Sequence, residues 1–345
     1  MFLTKNLYFN NYKQVSIMST KEINMSSLFF EIDRLKTWYP VRRGIFSKTV
    51  GYVKAVDDVS FSINKGETVG LVGESGCGKT SLGRTIMLLE TPYEGDVKFE
   101  GESIFLFNIK MKKQFCRKVQ MIFQDPQSSL NPRMSVLDII TEGMKYHGLI
   151  KKNYQEKASE LLHEVGLDKQ SMFRYPHEFS GGQRQRISIA RAISMHPELV
   201  ICDEAVSALD VSIQAQIINL LMDLQDKHNF SYLFISHDLS VINHISDRVA
   251  VMYLGKIVEL GFTRNILKNP VHPYTQALIS SIPVPGKAKR PSIVFQGVPP
   301  SPMNPPSGCR FHPRCLHKMD ICQTYEPILT SLSNGQQVAC HLNNI

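Results

Sequence analysis

A glycine-rich stretch between a predicted strand and a predicted helix contains the residue types needed to bind a triphosphate. Residues 73–80 match the pattern G-x-x-x-x-G-K-[ST]. Glycines let backbone N–H groups turn inward around phosphate oxygens, at the positive end of the following helix. Lys79 adds a charge for the β- and γ-phosphates, and the Thr80 hydroxyl is a ligand for Mg²⁺. The predicted nucleotide-binding residues in this stretch are Gly73, Glu74, Ser75, Gly76, Cys77, Gly78, Lys79, Thr80 and Ser81.

Two acidic residues end an apolar segment later in the chain. Residues 199–202 read as a buried strand, and Asp203 and Glu204 follow at its carboxyl end. Parallel sheets bind ligands at that edge. We expect Asp203 to hold Mg²⁺, directly or through water, and Glu204 to orient or deprotonate the attacking water. An Asp-Glu pair alone is usually surface charge, so this interpretation depends on the glycine-rich stretch.

Two further polar residues are weaker candidates on their chemistry alone. His237 follows the apolar segment 232–235 and is therefore expected at the same sheet edge as the phosphates, within reach of the γ-phosphate. A lone histidine is more often structural than catalytic. Gln124 lies in a predicted loop, where a glutamine side chain usually faces solvent.

The hydrophobic pattern predicts the elements that position these residues. The regions around residues 30–61 and at 96–104 alternate like antiparallel strands, whereas residues 68–72 read as a buried parallel strand. An amphipathic helix at 211–224 lies between two buried strands, and residues from about 128 to 195 are mostly helical. Buried strands alternating with helices indicate an α/β fold with a parallel core sheet.

Composition limits the classes of function. The 345 residues are 43% hydrophobic and 20% charged, with a net charge of +8. We find no uncharged apolar run near the ~18 residues that a membrane helix requires. Residues 1–28 are expected to be a disordered tail. They lack the apolar core of a signal peptide, so the protein is expected to stay in the reducing cytosol. No aromatic-interleaved basic module accompanies the positive charge, so no nucleic-acid partner is expected.

The composition changes after about residue 262. Nine of the 18 prolines fall between Pro283 and Pro313, and four of the seven cysteines fall in the last 37 residues. This predicts a separate, loop-rich appendage. Four cysteines in a reducing compartment suggest a metal site, although their spacing is not the paired C-x₂-C of common zinc ribbons. An iron–sulfur cluster, zinc and unligated thiols all stay open for Cys309, Cys315, Cys322 and Cys340.

A second glycine-containing motif carries a family resemblance. Residues 179–183, Phe-Ser-Gly-Gly-Gln, resemble the LSGGQ signature of ATP-binding-cassette (ABC) ATPases, with Phe179 at the usual leucine position. Ser180 and two glycines at a helix start form another anion-binding nest. In that family two chains pack head to tail, so that each signature closes over the partner's ATP. The resemblance implies that Ser180, Gly181, Gly182, Gln183 and Asp210 face the partner's site.

The other ABC elements follow in the expected order. Gln124 corresponds to the Q-loop, with catalytic and Mg²⁺-binding roles, and His237 to the switch histidine. Tyr52, which lies 21 residues before Gly73, is near the position of the aromatic residue that stacks on adenine, and Tyr39 and Phe46 compete with it. Ala205 stands where relatives usually have proline. The fold implied is the ABC-type P-loop NTPase, with an antiparallel β subdomain and a helical signature subdomain.

Longer stretches resemble one subfamily. Residues 124–133, 206–216 and 272–275 look like the oligopeptide and dipeptide permease ATPases, and so do the four terminal cysteines. The resemblance implies a [4Fe–4S] cluster with a structural role, with Zn²⁺ as the alternative. It also implies a domain order of tail 1–28, ABC ATPase domain 29–262 (helical subdomain about 128–195) and extension 263–345.

The function implied by this resemblance is ATP-driven closure of an ATPase pair that powers an importer for oligopeptides or dipeptides. Its expected partners are two transmembrane permease subunits, a second related ATPase and, indirectly, an extracytoplasmic binding protein. The chain would then be peripheral, at the cytoplasmic face of the membrane. The alternative is a soluble ABC ATPase acting on ribosomes or nucleic acid, which usually carries two cassettes or a long coiled coil.

Overall fold

The computed structural model describes residues 29–44, 47–281 and 297–343. The predicted tail 1–28 and part of the proline-rich segment lie outside the described residues. The rest divides into two compact units. The helix-rich unit contains residues 64–66 and 116–231, and the strand-rich unit contains residues 29–63, 67–115 and those from 232 onward. In these described ranges, no helix is both long enough and apolar enough to span a membrane.

Strands and helices alternate along most of the described chain. The strands are β1 (Phe30–Arg43), β2 (Lys48–Ile63), β3 (Thr68–Val72), β4 (Glu94–Phe99), β5 (Glu102–Ser103), β6 (Val119–Ile122), β7 (Leu199–Asp203), β8 (Ser231–Ser236), β9 (Arg248–Tyr253), β10 (Lys256–Phe262), β11 (Thr330–Ser331) and β12 (Gln337–Val338). The α-helices are α1 (Lys79–Ile86), α2 (Ile109–Lys118), α3 (Pro126–Ser129), α4 (Val136–Tyr146), α5 (Tyr154–Glu164), α6 (Gly181–Ile193), α7 (Val211–His228), α8 (Leu239–Ile245), α9 (Thr263–Lys268), α10 (Pro273–Ser280) and α11 (Ile321–Thr324). Short 3₁₀ helices cover Ile104–Leu106, Lys169–Phe173, Pro176–Glu178, His312–Arg314 and His341–Asn343.

The strand-rich unit combines an antiparallel and a mixed sheet. β1 pairs with β2 on one side and with β4 on the other, both antiparallel. β3 is parallel to both β8 and β9, and every β3 residue is buried. A parallel strand with neighbours on both sides must be apolar on both faces, which explains its continuous apolar run. The predicted antiparallel subdomain and buried parallel strand are both confirmed.

The helix-rich unit is built around α6. This helix packs against α3, α4, α5 and α7. Its apolar residues Ile187, Ile189 and Ile193 are at most 2% exposed. β6 and β7 pair in parallel beside these helices, with Val119 opposite Leu199. Sequence reasoning did not find β6, because four residues are too few to show a period.

The cysteine-rich extension differs from the expected separate appendage, because it completes the strand-rich unit. β12 pairs with the edge strand β10, where Leu260 faces Gln337. Beneath this pairing the buried Glu259 carboxylate accepts N–H groups from Val271 and His272 and the Gln336 side-chain amide. Because buried polar groups need hydrogen-bond partners, these contacts attach residues 271–272 and Gln336 to β10. The predicted domain boundaries stay a prediction.

We expect His272 to make the stability of this chain depend on pH. His272 is 1% exposed, its Nδ1 accepts the Tyr274 N–H, and burial lowers its pKa to about 3. The unfolded chain, with an ordinary histidine pKa of about 6.5, binds more protons below that pH. The free energy of unfolding should therefore fall by about 2 kcal/mol between pH 7 and pH 5.

Urea unfolding at the two pH values measures this loss, with His272→Asn as the matched control. Asparagine keeps a side-chain oxygen to accept the Tyr274 N–H but does not titrate. The variant should be less sensitive to acid than the wild type by the same ~2 kcal/mol. Equal pH dependence in both proteins would contradict the assignment to His272.

Candidate functional site

The glycine-rich loop lies between β3 and α1 in the strand-rich unit. Gly76 and Gly78 have φ angles of +78° and +111°, which side-chain-bearing residues rarely adopt. A Cβ on Gly78 would lie 1.9 Å from the Ala55 carbonyl oxygen, and one on Gly73 would lie 2.1 Å from that of Met252. Close backbone approach and left-handed φ together require glycine at these positions. The loop thus has the backbone geometry of a phosphate-binding nest.

The Lys79 side chain folds back onto this loop and forms hydrogen bonds with its backbone. Its side chain is buried, and Nζ donates to the carbonyl oxygens of Gly73 at 2.8 Å and Glu74 at 3.0 Å. The ammonium group is therefore fixed at the loop, where sequence reasoning expects it. Burial raises the pKa of the Cys77 thiol, although the nearby Lys79 opposes this, so Cys77 is a neutral packing residue. Ser75, Gly76 and Thr80 are exposed at the loop surface.

The helix-rich unit brings two predicted catalytic residues together. Gln124 Nε2 donates to Glu204 Oε2 at 3.0 Å. Asp203 ends β7 and is 3% exposed. Glu204 has a φ of +46°, which is uncommon for a residue with a side chain, and such backbone strain clusters at functional sites. With its amide nitrogen bound to Glu204, Gln124 presents Oε1 as the atom suited to a cation. Gln124 is exposed, as expected of a loop glutamine, but its side-chain amide is bound to Glu204.

The signature motif begins α6. Ser180 Oγ accepts the Gln183 N–H, and Gln183 Oε1 accepts the Ser180 N–H, which forms a capping box. Phe179 is 3% exposed, with the Arg174 guanidinium 4.6 Å from its ring centre, so it fills the leucine position as a core residue. Ser180, Gly181 and Gln183 are exposed. The start of α6 is therefore accessible, as the predicted role in anion binding requires.

Three other predicted residues are placed as follows. His237 is exposed directly after β8, and Asp210 is exposed at the start of α7. Tyr52 belongs to an aromatic group in the strand-rich unit. Its ring centre lies 6.1 Å from that of Trp38 and 5.6 Å from that of Tyr93. Sequence reasoning missed both neighbours. The only signal for Trp38 was that it is the chain's one tryptophan.

The four terminal cysteines line one small cavity. Cys309, Cys315, Cys322 and Cys340 surround it together with four histidines. All four are free thiols. Burial raises the pKa of Cys309 to about 12 and also raises those of Cys315 and Cys340. Within the residues that the structure describes, no three Cys, His, Asp or Glu side chains are arranged to hold a single metal ion.

Two protein-family models match parts of this chain. Residues 56–207 match the model of ABC transporters, and residues 258–322 match that of the oligopeptide/dipeptide transporter C-terminal region. The structure resembles cbiO1 from Clostridium perfringens, part of the ABC transporter complex cbiONQ (TM-score 0.58, 21% identity, 70% of this chain and 92% of that one). It also resembles the ATP-binding cassette MJ0796 bound to ADP and Pi (TM-score 0.60, 23% identity, 68% and 99%). These similarities confirm the fold predicted from the motifs.

Relatives found by sequence share a much higher identity with this chain than these two structures do. Oligopeptide transport ATP-binding protein AppF of Bacillus subtilis (strain 168) is 54% identical over 90% of this chain and 96% of its own length. Dipeptide transport ATP-binding protein DppF of Escherichia coli (strain K12) is 46% identical over 94% of this chain and 97% of its own length. The chain therefore belongs to the ABC transporter ATP-binding proteins of the oligopeptide/dipeptide transporter family.

Proposed function

We propose that this chain hydrolyses ATP to power an importer for oligopeptides or dipeptides. The observation that carries the enzymatic part is the glycine-rich loop between β3 and α1, with Lys79 fixed across it. The cargo class rests on relatives named for oligopeptide and dipeptide transport.

Each predicted residue takes a separate role in hydrolysis. The N–H groups of residues 73–81 and Lys79 bind the phosphates. Thr80, Gln124 and Asp203 would hold Mg²⁺ through their side-chain oxygens, and the ion would supply positive charge for the phosphates. Glu204 accepts a proton from the attacking water, and its hydrogen bond to Gln124 fixes the carboxylate orientation. His237 contacts the γ-phosphate, and Tyr52 stacks on adenine.

Closure of an ATPase pair couples hydrolysis to transport. The exposed surface of Ser180, Gly181 and Gln183 binds the γ-phosphate held by the partner, with Gly182 and Asp210 beside it. Hydrolysis removes this bridge and the pair reopens. We infer that the second ATPase is a related, non-identical chain. The other partners are two transmembrane permease subunits, which an extracytoplasmic binding protein supplies with cargo. This chain then acts peripherally at the cytoplasmic face of the membrane.

We expect Glu204→Gln to bind ATP but to hydrolyse it at least about a hundredfold more slowly, because general-base catalysis contributes 10²–10⁴. Glutamine keeps an oxygen that can accept the Gln124 amide, so the change removes the base and preserves the local hydrogen bond. Phosphate release and ATP binding should be measured on the same preparation.

Glu198→Gln is the matched control for this variant. Glu198 lies just before the other end of β7, where it forms ion pairs with Lys65 and Lys118. Removing its charge should leave the hydrolysis rate within about twofold of the wild type, since partly exposed ion pairs contribute little. Wild-type turnover by Glu204→Gln would exclude Glu204 as the base.

A second experiment tests the transport assignment. Tagged Glu204→Gln protein, isolated with ATP from gently solubilised membranes of its own organism, should bring along two polytopic membrane proteins and a second ATPase. Omitting ATP, or adding Lys79→Ala, should reduce recovery of that second ATPase because the pair no longer closes. Recovery of ribosomes or nucleic acid without membrane proteins would instead support the alternative of a soluble ABC ATPase.

We further infer that the four terminal cysteines hold a [4Fe–4S] cluster. Such a cluster would be held by four Cys thiolates. The support for this inference is that the four thiols line one cavity, which matches the number of donors that such a cluster needs. Its role is to order the extension.

Metal analysis after anaerobic purification tests this inference. We expect about four iron atoms per chain together with acid-labile sulfide. Cys322→Ser should lose the iron, since Cys322 lines the cavity, whereas serine in place of the exposed Cys116 should retain it. One zinc per chain and no iron would show that Zn²⁺ occupies the site instead.

A further inference from the structure

The extension contacts the phosphate-binding loop directly through one arginine. Glu74, the second residue of the loop, carries a carboxylate whose two oxygens are both engaged by Arg314. Nη1 donates to Oε2 at 2.9 Å, and Nη2 donates to Oε1 at 3.1 Å. The Arg314 side chain is 6% exposed and that of Glu74 is 24% exposed. A largely buried bidentate pair of this kind is strong and geometrically specific.

Arg314 is itself held in place from several sides. Its backbone N–H donates to the Phe311 carbonyl in the 3₁₀ turn before Cys315. Its guanidinium lies 5.8 Å from the centre of the Tyr253 ring, and Nη1 is 3.4 Å from the Tyr253 hydroxyl. The rings of Tyr253, Tyr274 and Phe311 pack on one another. The arginine therefore reaches Glu74 from a rigid support.

The extension and the core also fix the loop backbone. The Tyr274 hydroxyl accepts the Glu74 N–H at 2.9 Å, and the Gly255 N–H donates to the Cys77 carbonyl at 2.9 Å. These contacts lie on the loop residues flanking the exposed Ser75 and Gly76. Of these three contacts with the loop, only the ion pair between Arg314 and Glu74 joins charged groups.

A carboxylate within a phosphate-binding loop opposes the loop's function. The triphosphate of ATP is strongly negative, and like charges a few ångströms apart in a partly buried site repel substantially. Arg314 removes this conflict by neutralising Glu74 and by turning its carboxylate toward the extension. The sequence pattern includes Glu74 among the nucleotide-binding residues, and the structure shows its side chain committed elsewhere.

We propose that Arg314 is a positioning residue for ATP, through which the C-terminal extension sets the affinity of the phosphate loop for nucleotide. The inference rests on the proposed ATP site and deepens it. It assigns the extension a role in nucleotide binding besides completing the fold. Because the effect is electrostatic, it must increase with the number of phosphates on the nucleotide.

Nucleotide binding by the full chain tests this proposal. Wild type, Arg314→Gln, Glu74→Gln and the double variant are titrated with ATP, ADP and AMP by calorimetry, with chelator present to prevent hydrolysis. Arg314→Gln should raise the Kd for ATP by about tenfold, as expected for loss of a charged hydrogen-bonded pair, and that for AMP much less. The double variant should bind ATP within about threefold of Glu74→Gln, because the carboxylate that Arg314 neutralises is gone.

A structural role alone predicts a different result. It would weaken all three nucleotides equally and leave the double variant as weak as Arg314→Gln, and either finding overturns the proposal. Failure of the wild type to bind ATP overturns the proposed function, whereas wild-type binding with an unchanged Arg314→Gln overturns only this inference. If Arg314→Gln does not fold, Arg314→Lys replaces it, since lysine keeps the charge without the bidentate geometry. Because the proposed effect is electrostatic, Arg314→Lys should then bind ATP almost as tightly as the wild type, and a loss that is equal for ATP, ADP and AMP would overturn the proposal.

Discussion

The close approach of backbone segments at the phosphate loop is the constraint on which the rest of this structure depends. Anion binding by N–H groups requires left-handed φ angles at Gly76 and Gly78, and the loop packs so tightly that a Cβ on Gly78 would overlap the Ala55 carbonyl. A loop this specific must be supported from every side. β3 supports it with neighbours on both edges, and Gly255 and Tyr274 support it through hydrogen bonds.

The same need for support explains the polar interior of the strand-rich unit. Arg314 neutralises Glu74, Glu259 receives N–H groups from Val271 and His272, and Arg310 pairs with Asp57. Burial raises the pKa of the Glu259 carboxyl, although the hydrogen bonds that it accepts oppose this. These charges and amides attach the extension together with the packing of the Tyr274 and Phe311 rings.

In the helix-rich unit, one contact between residues far apart in sequence joins two of the predicted site residues. There the side chains of Gln124 and Glu204, 80 residues apart in sequence, meet at 3.0 Å, and Glu204 has a strained φ. The signature at Ser180 needs no such long-range contact, because its capping box forms within four residues. Local hydrogen bonding thus forms the capping box at the start of α6, whereas tertiary packing brings Gln124 and Glu204 together.

The sequence by itself determined whatever depends on local chemistry. The glycines of residues 73–78, the capping residues Ser180 and Gln183, and the apolar run of β3 specify their own conformations through sterics, short-range hydrogen bonds and burial. Only the tertiary structure decided which distant charges meet. Nothing near Glu74 in sequence predicts Arg314, 240 residues later, because a salt bridge across a fold depends on packing and leaves no periodic signal.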